Sequence, residues 1–131
     1  MKAVAISFFL AATLMAQSSA AIRVRVPYEF VAGQNCLPAG DYIILASHGP
    51  NTITIRTADA KKAVMTVAHA AEGSPPPEVQ GLVFNVYGDR YFLRQVWSAG
   101  VGQELSKSHA ELEQIAEHRV PHTVTLAATD F

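Results

Sequence analysis

The stretch VFNVYGDRYFLRQVW, from Val83 to Trp97, constrains the fold of this chain more than any other. Gly88 and Asp89 lie between two alternating runs, and glycine accepts a positive φ cheaply, so the pair predicts the two central residues of a tight β-hairpin. Tyr87 then opposes Arg90, Val86 opposes Tyr91, and Phe84 opposes Leu93. This register puts Leu82, Phe84, Val86, Tyr91, Leu93 and Trp97 on one side, with Gln95 as the only polar intruder. Val83, Asn85, Tyr87, Arg90, Phe92, Arg94 and Val96 take the other side. A slip by one residue would carry Asn85 to the apolar side, which burial of one face opposes.

Upstream, Ile22, Val24, Val26, Tyr28 and Phe30 share one parity and Arg23, Arg25, Pro27 and Glu29 the other, predicting a strand with one buried face. Pro27 lacks a backbone donor and places that strand at a sheet edge or breaks it. After a turn at Ala32 to Asn35, the run from Leu37 leads into Ile43-Ile44-Leu45. Being apolar on both faces, this strand belongs in the middle of the sheet or between sheet and helix. A turn at His48 to Asn51 precedes a strand from Thr52 to Arg56, and a reversal at Ala58 to Lys62 precedes one from Ala63 to Ala70. The β-branched Val64, Thr66 and Val67 favour strand over helix in this alanine-rich piece, with Met65 and Val67 on one side. Pro75, Pro76 and Pro77 make the next segment a loop.

Beyond Gly100 and Gly102, read as a flexible joint, the period changes. Leu105, Leu112, Ile115 and Ala116 form a stripe at helical spacing, while Glu111, Glu113 and Glu117 read as a solvated face. A helix from about Ser106 to His118 is predicted, with Ser108 and Glu111 as a capping box and Pro121 as its stop. Residues 120–131 alternate weakly and form either a last strand or a loose terminus. The fold class is therefore mainly β: an antiparallel sheet of six or seven strands, a sandwich or partly open barrel, with one C-terminal helix.

The first twenty residues read as a secretory signal peptide: Lys2, an apolar run from Ala3 to Ala16, then Gln17-Ser18-Ser19-Ala20. The apolar run is too short to span a bilayer, which takes roughly 20 residues. Cleavage after Ala20 leaves residues 21–131 as a single exported domain, periplasmic or extracellular, with no transmembrane span. The whole chain has a formal net charge of −1, and loss of Lys2 makes it −2. With no clustered basic charge, nucleic acid is not an expected partner. Cys36 is the only cysteine, so no internal disulfide forms; it is expected to be buried and inert, or else paired between chains.

Catalytic motifs are absent from the sequence: no G-x-S-x-G, and no phosphate loop beyond the partial Gly100-Val101-Gly102. His109 and Glu113, four apart, could offer two metal ligands on one helix face, but a site needs three or four. No cofactor and no metal site is expected. A porin-like barrel would require at least eight strands, more than the pattern supplies.

Leu37-Pro38-Ala39-Gly40-Asp41-Tyr42 resembles the L-P-x-G-x-Y approach to a strand in prealbumin-like and other immunoglobulin-like secreted β-sandwiches, where the tyrosine locks a corner by bonding back to the chain. FVAGQNCLPAGDYII with VFNVYGDRYFLRQVW and a short acidic helix resembles a group of small exported bacterial proteins of unknown function. That resemblance implies no catalytic residue. The expected role is thus a non-enzymatic binding or structural module of the cell envelope. Its expected binding face is Tyr87, Arg90, Phe92 and Arg94, since aromatic rings with guanidinium groups suit envelope polysaccharide. Another envelope protein is the other expected partner. The alternative is a small metal-dependent hydrolase built on His109 and nearby carboxylates. If instead the helix covers the Tyr87 face, the arginine stems pack and their heads reach water.

Overall fold

Pro27 divides the first alternating run. In the computed structural model, which describes residues 20–46, 51–71, 80–98 and 101–128, strand β1 (Ala20–Val26) stops just before it and β2 (Phe30–Ala32) begins beyond Glu29. The parity survives the break, because Ile22, Val24, Val26, Phe30 and Ala32 all lie in the core. Of the predicted signal peptide only Ala20 falls within the described residues. The turn residues His48 to Pro50, the triple-proline loop and the last three residues of the tail lie outside them.

The remaining elements are β3 (Asn35–Leu37), β4 (Gly40–Ala46), β5 (Thr52–Thr57), β6 (Ala63–Ala70), β7 (Gly81–Tyr87), β8 (Arg90–Ser98), β9 (Val101–Leu105), α1 (His109–Ala116) and β10 (His122–Ala127). The described residues thus form ten strands rather than six or seven. The first run is two strands, the stretch after the Ala32 turn pairs as β3, and Gly102 of the supposed glycine joint lies in β9, Gly100 being outside the described residues. Glycine at position 102 does not loosen β9 because it lies under the Trp97 ring, where an added Cβ would come within 2.6 Å of ring carbons. The tail resolves as a strand, with β10 antiparallel to β7.

The sheet is open. Its strands run β1-β4-β5-β6-β9-β8, after which β7 and β10 continue along one edge of β8, and the β2–β3 hairpin joins beside the start of β8 through a short parallel pairing. As the apolar pattern of Ile43 to Leu45 required, β4 is paired on both sides, by β1 and β5. Pro27 ends the edge strand β1. Inward-facing residues of β1, β4 and β5 meet those of β7 and β8 in one cluster, including Ile22, Val24, Tyr42, Ile44, Ile53, Phe84 and Val96. Burial of that surface is the main force holding the fold. Aromatic edges fix its centre: Phe84 meets the rings of Tyr28 at 5.3 Å and Phe30 at 5.7 Å, both near perpendicular. Tyr42 closes the corner predicted for it, its hydroxyl donating to the Pro38 carbonyl oxygen.

The hairpin has the predicted register at its tip. Tyr87 pairs with Arg90, Val86 with Tyr91 and Phe84 with Leu93, and Gly88 takes φ +65°. Farther down, Val83 pairs with Gln95, so Arg94 is an extra residue, a β-bulge. The bulge reverses the parity of everything beyond it. Val96, assigned to the outer side by strict alternation, enters the core, whereas Trp97 and Gln95 move outward. The polar intruder disappears for a physical reason: one inserted residue lets Leu93 and Val96 both face inward.

The helix is shorter than the expected Ser106 to His118, and half of the expected capping box forms: Ser108 is its cap, the Ser108 hydroxyl accepting from the Glu111 N–H at 3.1 Å, while the Glu111 carboxylate turns elsewhere. It ends before Pro121 acts. His118 takes φ +62°, its N–H reaches the Ile115 carbonyl and the Arg119 N–H reaches the Gln114 carbonyl, a Schellman closure.

Candidate functional site

The outer face of the β7–β8 hairpin was the sequence's candidate binding face, and two of its four residues are inaccessible. Tyr87 and Phe92 are 2% and 1% exposed, their rings set edge to face at 5.6 Å. Arg90 remains exposed, its guanidinium 5.4 Å from the centre of the Phe92 ring. The side chain of Arg94, on the bulge, is partly exposed and reaches Glu104 at 3.4 Å. The four residues therefore do not form one open patch, because α1 lies over the face.

The helix is seated opposite to the expected sense. Glu111 and Gln114 are its buried residues, and Leu112 and Ile115 point outward. The Glu111 carboxylate explains this: one of its oxygens accepts from Asn85 Nδ2 at 2.9 Å and from the Tyr87 hydroxyl at 3.0 Å. Asn85 and Tyr87 are both buried on the side of β7 that α1 covers. Two buried donors need an acceptor, and Glu111 supplies it. Burial, together with the Glu111 bond and charge, pushes the Tyr87 hydroxyl up to about 12. Sequence reasoning set Glu111 on a solvated face and so missed this tie; the signal was the pair Asn85 and Tyr87, two donors two residues apart on the outer side of one strand.

A second chain of bonds runs along the same side of β8 and β9. Trp97 Nε1 donates to Gln95 Oε1 at 3.0 Å, and Gln95 Nε2 donates to Glu104 Oε1 at 3.0 Å. Glu104 also meets Arg94 and, at 3.4 Å, the His69 ring. Burial opposes its ionisation, but the Gln95 bond, Arg94 and His69 outweigh that and hold its carboxyl below the ordinary range.

Cys36 is exposed, not buried. On the short edge strand β3 its thiol donates to Glu29 Oε1 at 2.8 Å, and this bond, with some burial, raises the thiol above its usual range. A thiol held protonated is a poor nucleophile. It lines a surface groove of about 250 Å³ with Glu29, Val31, Asp89, Arg90 and Tyr91. His109 and Glu113 are both exposed on α1, and the His109 N–H bonds to Gln34 Oε1. Among the described residues no three His, Cys, Asp or Glu side chains converge as a metal site would require.

The accessible apolar surface lies elsewhere, on the outer face of β4, β5 and β6. Register aligns Leu45, Thr54 and Met65 in one row, with Thr52 and Val67 in a neighbouring one. Met65 and Val67 are 68% and 59% exposed. Arg23 and Arg56 flank the half-buried Ile43 across the same face, and the Arg56 Nε is buried without a hydrogen-bond partner. No helix among the described residues is long and apolar enough to cross a membrane. Comparison of the chain with protein-family models, with curated proteins and with solved structures finds no match.

Proposed function

We propose that the chain is an exported, non-enzymatic binding or structural module of the cell envelope, and that its contact surface is the outer face of β4, β5 and β6. The observation that carries this is the exposure of Met65 and Val67 beside Leu45 and Ile43. Large apolar side chains gathered on one strand face are costly to leave in water, and such patches mark interaction sites more often than chance. The secretory pattern of residues 1–20 supports export.

A protein partner fits this surface better than envelope polysaccharide. The rings that would stack on a sugar, Tyr87 and Phe92, are buried, whereas the open face offers aliphatic side chains and a thioether with arginines at the rim. Thioether and branched side chains suit the apolar core of a protein interface.

Two experiments test the reading. Purified protein is applied to isolated envelope material: the double change Met65→Lys, Val67→Lys should abolish retention with an unchanged melting temperature, and Arg90→Ala should retain it. Retention that ignores the double change would reject the contact surface. Mass spectrometry of protein from the envelope fraction should show a chain beginning at Ala21, and an intact Met1 there would reject export by cleavage.

A further inference from the structure

Two outward faces of this molecule complement one another. On α1, Leu112 and Ile115 are 47% and 41% exposed, and the adjoining side of the helix carries the exposed Glu113 and Glu117. Just beyond the last turn Arg119 pairs with Glu117 at 3.2 Å, so Glu113 is the carboxylate this side turns to water, near the negative end of the helix dipole. On β4, β5 and β6 the apolar row of Leu45 and Met65, with Val67 next to it, has arginines at its edge, one of them with its buried Nε unpartnered. One face is apolar beside the exposed carboxylate of Glu113, the other apolar beside the guanidinium of Arg56. They belong to opposite leaves of the fold, since α1 lies over β7 and β8.

We infer that the partner for the β4–β6 face is a second copy of this chain, which seats the Leu112 and Ile115 side of its α1 there, with Glu113 toward Arg56. This rests on the proposal that the β4–β6 face is the contact surface, and names its occupant. The arrangement accounts for the seating of α1. Turning its polar residues inward leaves two large apolar side chains in water, a cost that docking on a second copy removes. Because the two faces differ, the contact is head to tail, and it propagates into a ring or an open chain of copies rather than closing as a two-fold dimer. The charged groups beside the two faces make the association weaken with salt.

Sedimentation velocity of the whole chain across a wide concentration range provides the test. The expected result is a mass that rises with concentration at low ionic strength and falls back at high ionic strength. Val67→Lys and Leu112→Asp should each give a monomer throughout, with melting temperatures like the parent's. Mixing the two variants should restore association but only as a heterodimer, because Val67→Lys keeps an intact helix face and Leu112→Asp an intact sheet face. A parent that stays monomeric at every concentration, or a mixture that stays monomeric while the parent associates, overturns the inference. If the parent is monomeric yet the Met65 and Val67 changes still abolish envelope retention, the occupant is a different protein and the contact surface stands.

Discussion

On the inner side of the β7–β8 hairpin, Leu82, Phe84, Val86, Leu93 and Val96 are buried against apolar side chains of the facing strands. On its outer side Asn85, Tyr87 and Phe92 are as dry, but the element that covers them reaches in with a carboxylate. The same two strands are thus sealed by two kinds of physics. Apolar packing is non-directional and grows with area, so it tolerates some rearrangement. The Glu111 tie is directional, and losing one member leaves buried donors unsatisfied. Removing volume should hurt the inner side most, and removing an acceptor should hurt the outer side.

The largest effect is expected on the inner side. Phe84→Ala should cost about 3–5 kcal/mol in a denaturant titration, the range for truncating a fully buried ring, since Phe84 meets Tyr28, Phe30 and Tyr91. A loss below 1 kcal/mol would place the core elsewhere. On the outer side, Glu111→Ala should cost about 2 kcal/mol by stranding the Asn85 amide and the Tyr87 hydroxyl. In a Tyr87→Phe background that penalty should shrink by about 1 kcal/mol, and a double-mutant cycle showing no coupling would break the tie.

Gly102→Ala probes the continuation of the outer side, where Trp97 lies across β9. The added methyl meets the ring within 2.6 Å, so about 1–3 kcal/mol is expected, partly recovered by Trp97→Leu. The smallest effect concerns acid. The Glu104 carboxyl titrates below its ordinary value in the folded chain, so its contribution is present above that value and lost as pH falls through the lowered one. Its partners Arg94 and His69 are partly exposed, which limits the gain to about 0.5 kcal/mol after screening. Glu104→Gln should flatten that part of the acid limb of a stability curve, and an unchanged limb would count against it.

How much of this was legible in the sequence follows the same division. Strict alternation announced the inner faces of β1, β5 and the hairpin tip, because a period of two leaves a strand little choice once one side is dry. The bulge at Arg94 was concealed by that same rule: Gln95 in an apolar row marked the place, but alternation alone has no provision for an added residue. Cys36 was expected inside from the habits of its residue type, yet β3 is an edge strand beyond Gly33 that leaves it exposed. For α1, the stripe of Leu112 and Ile115 pointed to the wrong side. Helical periodicity reports which residues share a face, and the buried donors on another strand decided which face turned inward.

The orientation of α1 is the central claim, and cysteine labelling measures it directly. In a Cys36→Ser background, Leu112→Cys and Gln114→Cys are each treated under native conditions with a bulky thiol reagent and compared with the denatured chain. At high dilution and high ionic strength, where copies do not associate, rapid modification is expected at position 112 and strong protection at 114. Protection at 112 with rapid modification at 114 would show the helix resting on its apolar stripe, and would contradict both the Glu111 tie and the docking side of α1.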